Sequence, residues 1–385
     1  MTDPAAAGPE PLAGREIAFL SWRDTHNPEG GGAERALEEV AEGLVQRGAR
    51  VTVFSAAHAG APPEDEINGV RYVRNGSKLT VYPRGMQALR RGDLGHPDLV
   101  VDVQNGLPFF TRMVTRKPVI VLVHHVHREQ WPVVYPGTMG KVGWWIERRF
   151  APLLYRRCQY VTGSRATRDE LAALGVNPQR IAVVHYGTDQ QRSVRAGKTV
   201  HPSICVVGRL VPHKQVEHAI DAVVELRREL PALTLTVVGS GWWEHVLHEY
   251  VEQNGASDAV RFLGQVDERT KEQVYEESWV LALPSLKEGW GLVVGEAALA
   301  GTPTVAYASA GGTRESVLDG TTGLLADDQA DFTAALRRLL TDADLRAALG
   351  EGARANGGRY TWEQTREGFA GVVQQVLAGG RVSSS

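Results

Sequence analysis

Pro284-Ser285-Leu286-Lys287-Glu288-Gly289-Trp290-Gly291-Leu292-Val293-Val294-Gly295-Glu296-Ala297 joins two unlike kinds of sequence. Ahead of it, Trp279-Val280-Leu281-Ala282-Leu283 is a short apolar run that reads as a buried strand. Behind it, Val293 to Ala300 reads as a helix, stopped by Gly301-Thr302-Pro303. Glu288 falls on the strand-to-helix loop, and Glu296 lies about a turn inside the helix, eight positions later. Gly289 and Gly291 let the backbone approach a ligand closely. The free amides at the helix start offer an anion site. Phosphate on those amides, with carboxylates beside it, suits a sugar nucleotide, whose hydroxyls need acceptors. The spacing of the two acids decides little alone, because most glutamates are solvated surface groups.

Working outward, the same alternation of strand and helix fills the chain. Glu16 to Ser21 predicts a strand, followed by a glycine-rich loop and a helix over Ala33 to Gln46. Further strands are expected at Arg50–Ser55, Asp98–Asp102, Pro118–Val123, Gln159–Thr162 and Ile181–Val184. A second series runs through Ser203–Val207, Leu233–Val238, Val260–Leu263, Trp279–Leu283, Thr304–Ala306 and Gly323–Leu325. Near-continuous Val/Ile/Leu runs indicate strands covered on both faces, as in parallel sheets. The aperiodic polar stretch from Gly187 to Lys198 reads as a linker between the two series. Two doubly wound α/β domains facing across a cleft follow, because such sheets bind ligands beyond their carboxyl-end edges. The expected units are residues 15–190, 200–360 and a final amphipathic helix over 361–378.

The bulk numbers narrow the function. A chain of 385 residues holds two ordinary domains. A net charge of −3 and a pI near 6.5 argue against a general nucleic-acid binder. Cys158 and Cys205 match no metal spacing and form no disulfide framework, which favours a reduced, cytoplasmic setting. Residues 1–14, rich in Ala, Pro and Gly, lack the basic and apolar regions of a signal peptide. They and the tail from Gly379 to Ser385 are expected to be disordered ends. No apolar run approaches the ~20 residues that span a bilayer.

The quoted segment resembles the Glu-x7-Glu signature of retaining GT-B glycosyltransferases, family 4 above all. The likeness continues through Gly301-Thr302-Pro303-Thr304-Val305-Ala306, Ala310-Gly311-Gly312-Thr313-Arg314-Glu315 and Asp319-Gly320-Thr321-Thr322-Gly323-Leu324-Leu325, in the family order. It covers nearly the whole chain and is most specific from Val207 to Leu325. The resemblance implies a GT-B fold of two Rossmann-like domains, with the C-terminal helix crossing back to the N-terminal domain. It also implies a retaining transferase that moves sugar from a nucleoside diphosphate to an acceptor hydroxyl. Glu288 would bind the donor sugar and Glu296 the ribose. Gly208, Gly289, Trp290, Gly291, Leu292 and Val293 would line the donor site.

Val207-Gly208-Arg209-Leu210, with Lys214 five residues after Arg209, leaves a strand. Arg grips phosphate oxygens with a planar fork and Lys adds a point charge. Their match to the family's Gly-Arg-Leu-x-x-x-Lys motif implies diphosphate contacts for Arg209 and Lys214. Gln215 departs from the family's usual Gly and puts the loop geometry in question. Glu29-Gly30-Gly31-Gly32-Ala33-Glu34-Arg35 fails the dinucleotide fingerprint. Its place after strand one is where the family keeps a Gly-Gly loop, implying that Gly31 and Gly32 face donor and acceptor. Gly239-Ser240-Gly241 is a weaker signal of the same kind. Val123-His124-His125-Val126-His127 ends a strand, where imidazoles can donate to hydroxyls or phosphate, sit in a core or hold metal. The family has a His here beside the reacting carbon; His124 aligns best and His125 is the fallback.

With cations and amides on the diphosphate, no metal or other cofactor is expected. Asp342-Ala343-Asp344 looks like a metal-binding Asp-x-Asp pair but reads as the start of a helix. Gly143 to Arg157 interleaves aromatics with arginines. That suits an interfacial helix on anionic lipid at the inner membrane face, and equally a buried helix with a basic outer surface. Two other functions share these sheets: an epimerase or phosphorylase, and a non-catalytic partner that binds sugar nucleotide. The chain is short for a phosphorylase, and the complete Arg209, Lys214, Glu288 and Glu296 set argues against the partner. Nucleotide base, sugar, acceptor and oligomeric state are not encoded legibly.

Overall fold

Fourteen strands form in the computed structural model, which describes residues 12–190 and 196–384. The first eight are β1 (Glu16–Leu20), β2 (Arg50–Ser55), β3 (Glu64–Ile67), β4 (Val70–Arg74), β5 (Leu99–Gln104), β6 (Val119–Val123), β7 (Gln159–Thr162) and β8 (Ile181–Val183). They make one sheet in the order β3-β4-β2-β1-β5-β6-β7-β8, parallel except for β3. The other six are β9 (Ser203–Val207), β10 (Thr234–Val238), β11 (Val260–Phe262), β12 (Val280–Leu283), β13 (Thr304–Tyr307) and β14 (Gly323–Ala326). They form a parallel sheet in the doubly wound order β11-β10-β9-β12-β13-β14. β1, β5, β6, β7, β9, β12 and β13 are buried along most or all of their length, as the unbroken apolar runs require.

Strand order fixes the site. In each doubly wound sheet the chain reverses direction of growth at one place, and the loops there diverge to leave a crevice. In the second sheet that place is the β9/β12 neighbour pair. The loop carrying Arg209 leaves β9, and the loop carrying Glu288 leaves β12. In the first sheet it is β1/β5, and the glycine loop leaves β1.

The last helix, Trp362–Leu377, crosses back as expected. Phe369, Ala370, Val372, Val373 and Val376 complete the core of the first sheet, with Phe369 stacked 6.1 Å from Phe19. Arg366 bridges to Glu39 at 2.6 Å on the helix Gly32–Val45. Entry and return run side by side, because Thr188 pairs with Thr361 and the Gly187 amide donates to Thr365 Oγ1. The linker expected at 187–198 therefore begins as a fixed crossing; residues 191–195 lie outside the described residues.

Three expectations need correction. The hairpin β3–β4 is absent from the sequence reading, because Glu64-Asp65-Glu66-Ile67 carries three charges and lies on the sheet edge. The ends are less free than composition suggests. Residues 1–11 lie outside the described residues, but Leu12 is buried in the first core and Gly14 donates to Gly48. The tail is held as well. Val382 exchanges hydrogen bonds with the Gln159 side chain, and Ser384 with Ile181 and Val183, on the edge strand β8. An edge strand presents unpaired backbone groups, and the tail satisfies them.

Candidate functional site

The loop after β12 is shaped by close backbone approach. A Cβ added at Gly289 would lie 2.2 Å from the His124 carbonyl oxygen, so only glycine lets this loop meet the end of β6. Gly291, at φ +84, turns the chain into the helix Leu292–Leu299. The Leu292 and Val293 amides open that helix with no intrahelical acceptor. The loop is pinned on its other side, where Glu288 N donates to Ala310 O (2.7 Å) and Gly312 N to Glu288 O (3.0 Å).

Glu288 is buried, and one carboxylate oxygen lies 2.5 Å from Lys214 Nζ. The loop after β9 thus delivers its cation to the loop after β12. Gln215 ends the turn Pro212–Lys214 in left-handed backbone, φ 48 and ψ 43, a conformation that costs nothing to the family's glycine. Arg209 has no carboxylate partner among the described residues, and its Nε lies 3.2 Å from a Cβ placed on Gly31. Likewise Leu292 Cδ1 lies 3.0 Å from a Cβ placed on Gly32. Gly31 and Gly32 thus face Arg209 and Leu292 across the cleft. Gly208 sits under the Gly239 loop, and Leu210 N donates to Ser240 O.

Glu296 is half-buried and already held by its own domain. Tyr275 Oη donates to it at 2.7 Å and Lys271 Nζ at 3.1 Å. Burial and the Glu296 charge push the Tyr275 hydroxyl well above its usual range, so it stays a donor. Trp290 corrects the sequence reading. Its ring leaves the donor side and packs 4.8 Å from His185 and 4.9 Å from Tyr360, where the chain crosses between the sheets. Only its backbone remains for a ligand. The Val293 side chain likewise turns into the core of the second sheet.

On the facing wall, His124 is buried with Nδ1 2.7 Å from Tyr186 Oη. Burial holds its imidazole down to about 4, so it is neutral at pH 7. His125 meets Gln130 and stacks 4.1 Å from His127. His127 bonds Asn105 at 2.7 Å and Glu147 at 3.2 Å. A carboxylate, Glu147, reaches this histidine group, but no group of three His, Cys, Asp or Glu side chains suits a metal among the described residues. Asp342 caps a helix by accepting from Leu345 N, as its position suggested.

Several residues here escaped the sequence reading. Glu34 accepts from Gly31 N at 2.8 Å and lies 3.3 Å from buried Arg23, which fixes the glycine loop. The Glu-Arg dipeptide after three glycines was its available signal. His213, between Arg209 and Lys214, is pushed down to about 3 by burial, then by Lys214 and Arg209. Lys287 is buried against Glu170 from the first sheet. Glu315 reaches the same side, accepting from Ala166 N at 2.8 Å and meeting His185 at 3.3 Å.

Comparison with known proteins agrees with the fold. Residues 188–356 match the family Glycosyl transferases group 1, and residues 30–192 match Glycosyltransferase Family 4. A D-inositol 3-phosphate glycosyltransferase of Salinispora arenicola is 29% identical over 94% of this chain and 92% of its own. Among solved structures, sucrose-phosphate synthase from Thermosynechococcus elongatus superimposes with TM-score 0.81 at 19% identity, over 95% of this chain and 100% of its own. The Anabaena HepE protein in complex with UDP-glucose does so with TM-score 0.72 at 19% identity, over 93% and 99%. At such identities the structures establish the fold alone.

Proposed function

The chain belongs to the glycosyl transferases group 1 family and has the GT-B architecture, and from that premise we propose that it moves a sugar from a nucleoside-diphosphate donor to an acceptor hydroxyl with retention of anomeric configuration. One observation carries this reading. Arg209, Lys214, Glu288 and the Leu292–Val293 amides converge at the β9/β12 switch point, opposite Gly31, Gly32 and His124.

Each group has a task in that reaction. Arg209, Lys214 and the two amides hold the diphosphate and stabilise the charge that grows as it leaves, usually the largest catalytic contribution. Glu288, paired with Lys214, binds donor sugar hydroxyls. Glu296, oriented by Tyr275 and Lys271, accepts from the ribose with its remaining lone pairs. His124 acts as a neutral hydrogen-bonding group toward the sugar, not as a cation. The bond from the anomeric carbon to the phosphate oxygen breaks, and the acceptor oxygen bonds to that carbon on the same face. The acceptor proton passes to the departing phosphate oxygen. The cations and amides supply the charge a metal would, so no metal is needed.

UDP-glucose, bound by the HepE protein, is the first donor to assay, and D-inositol 3-phosphate, the acceptor named for the Salinispora relative, the first acceptor. UDP-, TDP- and GDP-sugars are screened by thermal shift, and turnover is followed with and without acceptor in EDTA. Acceptor-dependent release of nucleoside diphosphate with a retained anomer is expected. Donor turnover to an epimer without acceptor would select the epimerase, binding without turnover the non-catalytic partner. An inverted anomer, or activity lost in EDTA and restored by Mn or Mg, would overturn retention or metal independence respectively.

A further inference from the structure

Water-exposed apolar side chains are not spread evenly over this chain. Six of the nine large ones among the described residues fall between Met113 and Leu153. Charge is uneven in the same place. Between Val103 and Arg168 stand eleven Arg and Lys but only two acids, Glu129 and Glu147, in a chain of net charge −3.

Local geometry turns this composition into a face. The helix begins at Thr138, passes through a π turn at Ile146–Phe150 and ends at Leu154. Gly140, Gly143, Glu147, Ala151 and Tyr155 are buried and form its inner side. Met139, Val142, Trp145, Arg149 and Leu153 are exposed and recur every three or four residues, so they form one outer stripe. Lys141, Arg148, Arg156 and Arg157 flank it, exposed and with no carboxylate partner among the described residues. Trp145 stacks on Phe150 (6.2 Å) and Phe150 lies 5.9 Å from Phe110, which ties the stripe to the turn bearing exposed Arg112 and Met113. The one acid of the helix is removed from this face. Glu147 is 1% exposed and accepts from His127 N and Trp131 Nε1 on the inner side.

We propose that this face docks on an anionic lipid bilayer, with Trp145, Met139, Val142 and Leu153 in the headgroup layer and the bases over lipid phosphates. Charge complementarity selects the occupant. A large indole and thioethers set among unpaired arginines match an apolar boundary bearing negative charge. A nucleic acid would use the bases but not the apolar stripe. The inner side of the same helix holds His127 through Glu147.

Flotation of the full chain with vesicles tests this. Recovery with phosphatidylcholine–phosphatidylglycerol vesicles, and little with phosphatidylcholine alone, is expected. The double variant R148Q/R149Q should lower the partition by at least about tenfold. W145A should lower it too, and should remove Trp quenching by brominated acyl chains. Unchanged melting temperature and unchanged UDP binding show that both variants fold. Equal recovery on both vesicle types, or recovery indifferent to both variants, would overturn the proposal. So would lipid-independent self-association lost in W145A, which makes the face a contact between copies. Equal binding to duplex DNA, sensitive to R148Q/R149Q alone, overturns it as well.

Discussion

Arg209 and Lys214 differ in what surrounds them, and that difference sets separate expectations. Lys214 is engaged by Glu288 at 2.5 Å, whereas Arg209 has no carboxylate partner among the described residues. In the proposed reaction charge builds on the diphosphate only as its bond breaks, so Arg209 is expected to contribute more in the transition state than in the ground state. Arg209→Ala should lower kcat by about a hundredfold or more while UDP affinity falls less than about tenfold. A change confined to KM would reduce Arg209 to docking. A second expectation concerns protons. Burial holds His124 down to about 4, His213 to about 3, and His125 well below its usual range. The unfolded chain protonates these groups near pH 6.5, so between pH 6.5 and about 4 it binds more protons than the fold. Their neutral, buried state therefore stabilises the protein fully above pH 6.5, and the contribution is lost as pH falls. Each contributes up to about 1.4 kcal/mol per pH unit in that window. Urea midpoints at pH 7 and pH 4.5 should differ less in His124→Gln than in the parent. An equal drop in both would show that His124 is not held neutral.

Elements that rest on local pattern were legible; those that rest on distant partners were not. Arg50–Ser55, Gln159–Thr162 and Ser203–Val207 are strands with the bounds that their apolar runs suggest. β3 and β4 went unread although Asn68-Gly69 carries the signal, with both residues at positive φ as a two-residue hairpin turn demands. The tail gave no signal, because Ser384 is ordered by the edge of β8, about two hundred residues away in sequence. Of the candidate site, the motif loops were legible and the side-chain directions were not. Trp290 reads as a ligand residue until the crossing chain at Tyr360 claims its ring. The turn Pro212–Lys214 is a case where the departure at Gln215 can be weighed. Left-handed backbone costs a side-chain residue ~1–2 kcal/mol, and glycine loses ~0.5–1 kcal/mol through unfolded-state freedom. Gln215→Gly should therefore raise stability by about 0.5–1 kcal/mol and leave kcat within about twofold. A raised urea midpoint at unchanged m value is the measurement; a lowered one would mean that the Gln side chain contributes more than its backbone costs.

The two sheets meet through specific contacts, and any motion that opens the cleft would have to break them. The loop bearing Glu288 touches β6 through Gly289, Lys287 is buried on Glu170, and Glu315 joins the helix Arg165–Ala173 and His185. Burial raises the Glu170 carboxyl although Lys287 pulls it down; Lys287 itself is buried, whereas Glu170 stays partly exposed. Burial also opposes the Glu315 charge, but His185 and the Ala166 and Arg165 amides outweigh it and hold that carboxyl below its usual range. The crossing at Thr188–Thr361 lies against the helix Leu292–Leu299: a Cβ added at Gly295 would lie 2.5 Å from Thr188 Cγ2. Motion of one sheet against the other would thus pass through groups that also frame the proposed donor site. Opening would expose buried Lys287 to water, while removing one partner leaves the other unpaired only in the closed form. Lys287→Met should therefore shift the equilibrium toward the open form by about 1–3 kcal/mol without a matching loss of global stability. Donor binding should restore closure, since a ligand that contacts both walls favours the closed form by its differential affinity. Small-angle scattering is the measurement: the free variant should show a larger radius of gyration than the parent, and saturating UDP should bring the two together. Lys287→Met with Glu170→Met should return part of the way toward the parent, because neither charge is then stranded. Identical radii for parent and Lys287→Met, free and bound, would assign closure to the backbone contact at Gly289 and leave the Lys287–Glu170 pair a bystander.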